Sequence, residues 1–113
     1  MADDLILICA VADVPENDVI GASANGHPLA VYNVDGDIYA TDDLCSHGNA
    51  RLSEGFLDGK LIECPLHAGC FDVTNGAPCT PPVEHPVRAY TLILEGGNIY
   101  LRAADLAAAQ STS

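Results

Sequence analysis

Basic residues are scarce in this chain: four Lys and Arg stand against sixteen Asp and Glu, a formal net charge of -12. Phosphate backbones and anionic lipid are bound through clustered positive charge, so nucleic acid and membrane are excluded as expected partners. Long hydrophobic runs are missing too. The longest, Leu5 to Ala12, is eight residues between Asp3-Asp4 and Asp13. A membrane-spanning helix needs about 20 apolar residues, and a signal peptide opens on a basic segment, so the run is read as neither. No repeat, low-complexity tract or shift in composition marks a linker, and the 113 residues are expected to form one domain, 1-113. A paired cysteine framework is not expected either. Cys9, Cys45, Cys64, Cys70 and Cys79 are an odd number with no export signal, which points to a reducing compartment, the cytoplasm, and to some thiols serving as metal ligands. In a domain this small, a metal is a common extra source of stability.

What the chain has in quantity is turns. Asn25-Gly26, Asp35-Gly36, Asp58-Gly59, Asn75-Gly76 and Gly96-Gly97 each supply the positive φ that tight hairpins need. Between them, β-branched runs predict strands at about 4-9, 19-24, 29-34, 37-41, 60-64, 70-73, 86-95 and 98-102. The expected class is all-β. Alanine-rich residues 103-110 are compatible with a short helix, marginal unless it docks.

Two segments break the strand pattern: Cys45-Ser46-His47-Gly48-Asn49-Ala50 and Cys64-Pro65-Leu66-His67-Ala68-Gly69. Each offers one thiol and one imidazole, spaced C-x-H and C-x2-H, with sixteen residues and the Asp58-Gly59 turn between the halves. Four nitrogen and sulfur donors from two neighbouring loops suit zinc or an iron-sulfur cluster; calcium and magnesium want oxygen. The residues alone leave those two open. The zinc reading is a structural Cys2His2 module, although zinc fingers present two Cys and two His as like pairs and these loops do not.

With C-x-H, sixteen residues, C-P-L-H and then Gly69-Cys70-Phe71, the chain resembles the Rieske [2Fe-2S] proteins, and among them the small ferredoxins of bacterial aromatic-ring-hydroxylating dioxygenase systems. In Rieske centres two His replace two Cys on one iron. The resemblance implies Cys45 and Cys64 on one iron, His47 and His67 on the other, and one [2Fe-2S] cluster. It also implies the fold: an antiparallel β-sandwich or barrel-like base built from both ends of the chain, with a cluster-binding subdomain inserted at about 43-80. Two thiolates and two neutral imidazoles leave the oxidised cluster near zero charge, so reduction is easier than with four thiolates. His47 and His67 are expected near the surface, as the route for electrons to a docked partner.

Departures from the family pattern carry information as well. Membrane-type Rieske proteins brace the site with a disulfide between the two loops; here those positions are Ala50 and Leu66. High-potential members place serine and tyrosine hydroxyls after the second histidine, where this chain has Gly69 and Phe71. Of the remaining cysteines, Cys9, Cys70 and Cys79 are expected to be small buried hydrophobes. His27, after a turn, and His85, in a proline-rich loop, are expected to be structural. Pro65, Leu66 and the segment from Pro78 to Pro82 are expected to shield the cluster.

The resemblance implies a one-electron carrier and not a catalyst. It would take electrons from an NAD(P)H-dependent ferredoxin reductase, pass them to a terminal oxygenase, and work as a monomer in the cytoplasm. The alternative is a Rieske small subunit of a nitrite-reductase-type complex. Without the two hydroxyl donors, the midpoint potential is expected at the low end of the Rieske range, on the order of -150 mV and not +300 mV. Potentiometric titration checks this, and a midpoint well above zero contradicts it.

Overall fold

The computed structural model describes residues 4–44, 50–65, 69–80 and 86–111. In chain order these form β1 (Leu5–Ala10), β2 (Asp18–Ala24), β3 (His27–Val34), β4 (Asp37–Asp42), β5 (Phe56–Asp58), β6 (Leu61–Glu63), β7 (Cys70–Asp72), β8 (Pro78–Thr80), β9 (Ala89–Tyr90), β10 (Leu92–Glu95), β11 (Asn98–Arg102) and the helix α1 (Ala103–Ser111). The turn dipeptides set the hairpins. Asn25-Gly26 takes φ of 50° and 85°, and Asp35-Gly36 takes 52° and 94°. Positive φ at both central positions matches the right-handed twist of flanking strands, and Asn or Asp followed by Gly adopts it most readily.

Three antiparallel sheets result among the described residues, in the orders β1-β11-β10, β2-β3-β4-β9 and β5-β6-β7-β8. The first joins the two ends of the chain, with Leu5 opposite Arg102 and Ala10 opposite Asn98. The second lies between the other two, and β3 is its central strand. Leu29 and Val31 point to one side, among Ile99, Leu101, Leu106 and Val14; Ala30, Tyr32 and Val34 point to the other, among Leu52, Ile62, Phe71 and Val73. A strand buried on both faces has no room for the apolar-polar alternation of a half-buried one, and β3 reads accordingly as Leu-Ala-Val-Tyr-Asn-Val. Its buried polar groups are paired: Tyr32 Oη lies 2.8 Å from Thr41 Oγ1, and Asn33 Nδ2 donates to the Val14 carbonyl at 3.1 Å.

The all-β expectation holds, with two differences. Strands β5 and β8 were not expected; at three residues each, they are too short to show a periodicity. The single strand expected over 86-95 is divided, because β9 pairs with β4 while β10 pairs with β11, so the chain changes sheet at Thr91. The C-terminal helix forms and docks: Leu106 is buried against Leu29 and Leu101, and the Ala103 N–H donates to the Asp4 carbonyl at 2.8 Å. No helix among the described residues is long and apolar enough to cross a membrane.

If β3 organises both cores, truncating it should cost far more than truncating the surface. Leu29→Ala is expected to lower unfolding stability by about 3 kcal/mol, and Leu94→Ala, at a half-exposed position, by less than about 0.5 kcal/mol. Denaturant unfolding of the two variants checks this; equal losses would contradict it.

Candidate metal centre

Both loops that carry the predicted ligands are closed at their feet by described residues. At the end of β4 the chain leaves the sheet through Asp43, whose side chain is 2% exposed. One of its carboxylate oxygens accepts the Ser53 N–H at 2.8 Å, and the other accepts from Arg51 Nη1 at 3.1 Å. Its carbonyl accepts the Leu52 N–H at 2.6 Å, and Leu44 pairs with Arg51 in an isolated antiparallel bridge. A buried carboxylate is costly unless its lone pairs are filled by such donors. Residues 43 and 44 are thereby clamped to 51–53, and the first loop springs from that clamp.

The second loop springs from the β6–β7 hairpin. Glu63 pairs with Cys70, and the Cys64 N–H donates to the Gly69 carbonyl at 2.7 Å. Cys64 is 1% exposed and shares a core with Ala50 and Leu52 from the first loop and Ile62, Phe71 and Val73 from the second. Gly55 permits this approach: a Cβ there would collide with the Glu63 carbonyl, so only glycine lets the chain after the first loop run against the residue before Cys64. The feet of the two loops thus meet in one apolar cluster.

Of the predicted ligands, Cys64 sits at this junction. Cys45, His47 and His67 lie outside the described residues, as do Leu66, Pro81, Pro82 and His85. Among the described residues no group of three or more His, Cys, Asp or Glu is arranged to hold a metal ion. The donor set still tests well against a [2Fe-2S] cluster. A buried thiol stands at the loop junction, and the buried carboxylate beside the first loop is committed to Arg51 and Ser53. That leaves soft sulfur and imidazole donors, which iron-sulfur chemistry uses. Pro65 is exposed, on the surface beside Cys64.

A second polar network braces the first loop and was not legible in the sequence. Tyr90 Oη donates to Asp42 Oδ1 at 2.5 Å; His27 Nε2 lies 2.8 Å from the same oxygen and 3.1 Å from Tyr90 Oη. Burial and then the Asp42 carboxylate push the Tyr90 phenol well above its ordinary range, so it remains a protonated donor at working pH. His27, expected to be structural, opens β3 and pairs with Asp42 and Tyr90. Its partners lie 15 and 63 residues away, a separation that leaves no local motif.

The cysteine expectation needs a correction. Cys70 and Cys79 are not small buried hydrophobes: they form a disulfide, with Cα atoms 5.3 Å apart, and Cys79 is exposed. The Asn75-Gly76 turn was the available signal, because a hairpin about it sets the start of β7 against the end of β8. Closing a loop this short stabilises by roughly 2.5 to 3 kcal/mol in the chain-entropy picture. Cys9 does behave as expected, partly buried against the Val14, Val31 and Ile99 core. Burial and then Asp13 push its thiol up, the direction that disfavours the thiolate.

Residues 4–91 match the Rieske [2Fe-2S] domain family. The chain is 46% identical over 101 residues to the ferredoxin component of the naphthalene 1,2-dioxygenase system of Pseudomonas aeruginosa, covering 89% of this chain and 97% of that one. Among solved structures, Sphingomonas yanoikuyae B1 ferredoxin superposes with a TM-score of 0.84 at 39% identity, covering 88% of this chain and 98% of that chain. A chain from a complex of reduced oxygenase and oxidized ferredoxin in carbazole 1,9a-dioxygenase superposes at 0.81 with 38% identity, covering 89% and 94%. A nitrite reductase small subunit shares the fold alone, at 18% identity and a TM-score of 0.74.

The Asp43 clamp gives a direct test. Asp43→Ala leaves the part-buried Ser53 N–H without its acceptor and releases the half-exposed Arg51 guanidinium to water; it is expected to cost about 1 to 2 kcal/mol, with Asp43→Asn recovering part by keeping the Ser53 bond. Denaturant midpoints check this, and an Asp43→Ala midpoint equal to wild type contradicts it.

Proposed function

We infer the function from one premise: this chain belongs to the Rieske [2Fe-2S] domain family. It is a ferredoxin carrying one Rieske-type [2Fe-2S] cluster, and we propose that it shuttles single electrons from an NAD(P)H-dependent flavoprotein reductase to a terminal aromatic-ring-hydroxylating oxygenase. The observation that carries this reading is the 46% identity maintained over 97% of the length of a naphthalene dioxygenase ferredoxin. The reading makes the protein a component and not the catalyst, working as a monomer in the cytoplasm. The nitrite-reductase reading has only a likeness of fold behind it, and family membership displaces the zinc module.

When bound, the cluster supplies a one-electron couple that mixed thiolate and imidazole ligation makes easier to reduce than an all-cysteine one. The rest is done by the chain. Residues 43-80 are assigned as the cluster-binding subdomain. Cys45 and Cys64 are assigned as the thiolate ligands, His47 and His67 as the imidazole ligands and the electron exit. The Asp43 clamp and the Cys64 to Gly69 hydrogen bond hold the loop feet. Because the feet share one core with Leu52, Ile62 and Phe71, all three fully buried, the loops start from fixed points, which keeps reorganisation on reduction small. Replacing any of the four ligands with Ala should abolish the visible spectrum of the cluster, and a His47→Ala variant that retained it would contradict the assignment.

The charge of -12 suits brief encounters with partners whose docking faces are basic, since opposite charge raises association rates and salt screens the effect. Stopped-flow mixing with an NADH-loaded flavoprotein reductase of a dioxygenase system should bleach the cluster absorbance. Later mixing with an oxidised terminal oxygenase should restore it. The bleaching rate should fall about tenfold or more between low and high salt. Failure of either transfer overturns the carrier reading, and a rate flat in salt overturns the steering.

A further inference from the structure

We propose that Cys70–Cys79 is a thiol–disulfide exchange site, taking a dithiol as its reductant, that governs how firmly the second ligand loop is held. The proposal rests on the reading above, in which that loop carries half of the cluster ligands, and extends it to a control on the same site.

Three observations converge. The first is position. Cys70 opens β7, directly after Gly69, whose carbonyl receives the Cys64 N–H, and it is the ladder partner of Glu63. Whatever restrains Cys70 restrains the foot of the loop.

The second is how few ties join β7 and β8 at their open end: the turn end is closed by the Asp72 N–H to the Ala77 carbonyl at 2.9 Å and the Gly76 N–H to the Asp72 carbonyl at 2.6 Å, while the end beside the loop foot has less. The pair shares only Cys70 with Thr80 and Phe71 with Pro78, and the register shifts between them. Proline has no N–H to give to a ladder. The disulfide is therefore the covalent link between β8 and the loop foot, at the end of the hairpin farthest from its turn.

The third is access. In this sheet Leu57, Ile62 and Phe71 form one cross-strand row facing the core, while Phe56, Glu63 and Cys70 form the neighbouring row on the outer face. Phe56 is 70% exposed, Glu63 and Cys79 are exposed, and Cys70 is partly so. Breaking the bridge therefore removes no contact of the buried core clusters; what is lost is the tie. Disulfides that an attacking thiolate can reach are the labile and regulatory ones. Cys9, with its raised thiol pKa and partly buried position, is a poor competitor for the exchange.

The exchange balances as follows. A thiolate of the dithiol attacks the exposed Cys79 sulfur, the Cys70–Cys79 bond breaks, and Cys70 leaves as a thiolate that takes up a proton. The second thiol of the reductant then displaces Cys79 from the mixed disulfide. The protein gains two electrons and two protons as two thiols, and the dithiol ends as its own disulfide. In the reduced form the loop foot keeps the Glu63 ladder and the Cys64 to Gly69 bond and loses its tether to β8.

The experiment uses holoprotein purified without added thiol. Part is unfolded and alkylated with iodoacetamide, then mapped by peptide mass; Cys70 and Cys79 should be unmodified unless dithiothreitol is added first. The remainder, native, is reduced with dithiothreitol, desalted without air and mixed with an iron chelator. Visible absorbance should decay several-fold faster than in the oxidised protein. A Cys70→Ser/Cys79→Ser double variant should decay at the fast rate with or without dithiothreitol. Alkylation of both cysteines in unreduced protein overturns the proposal, and so does an equal decay rate in oxidised and reduced wild type, which is read even if the double variant does not fold. Alkylation is scored whether or not a cluster is bound, whereas failure of the carrier reading shows as missing visible absorbance before any thiol is added. The two failures are thus distinguishable.

Discussion

Strand β3 is buried on both faces, and the remainder of the structure is arranged around that constraint. Leu29 and Val31 on one side require a layer made of β1, β10, β11 and the docked helix; Ala30, Tyr32 and Val34 on the other require the small sheet of β5 to β8. The small sheet has no comparable core of its own, because each of its strands is three residues long. Burial against β3 is what stabilises the small sheet, and the small sheet places the loop feet. The link from sequence to function therefore runs through a stretch with no chemistry in it.

The loops are then held by polar ties of unequal kind. The first is closed by a buried carboxylate with both oxygens occupied, and beside it Tyr90 and His27 converge on Asp42. The second is closed by one backbone hydrogen bond, a strand pair and a disulfide on its solvent side. Membrane-type Rieske proteins tie loop to loop, whereas this chain, with Ala50 and Leu66 at those positions, ties one loop to the strand behind it. The carrier role proposed above calls for loops that start from fixed points, and the Asp43 clamp and the β6–β7 hairpin fix those points.

Much of this was legible in the sequence wherever the signal is local. The hairpin turns are dictated by residues such as Asn25-Gly26 that tolerate positive φ, and the Cys and His spacings carried the family. What escaped is what depends on register. The Tyr90 to Asp42 bond spans 48 residues, and nothing near either residue announces the other. The Cys70–Cys79 pair escaped for a related reason: β8 contains a proline and three residues in all, so no alternation marked it as the second arm of the hairpin. The division of 86-95 between two sheets likewise follows from which neighbours are free to pair and not from composition.

The central claim is that two thiolates and two imidazoles hold a [2Fe-2S] cluster on these loops. An electron paramagnetic resonance spectrum of protein purified without air and reduced with dithionite tests it most directly. A rhombic signal with an average g value below that of all-cysteine clusters is the predicted result. A signal typical of four-cysteine ligation, or none from metal-replete protein, would contradict it.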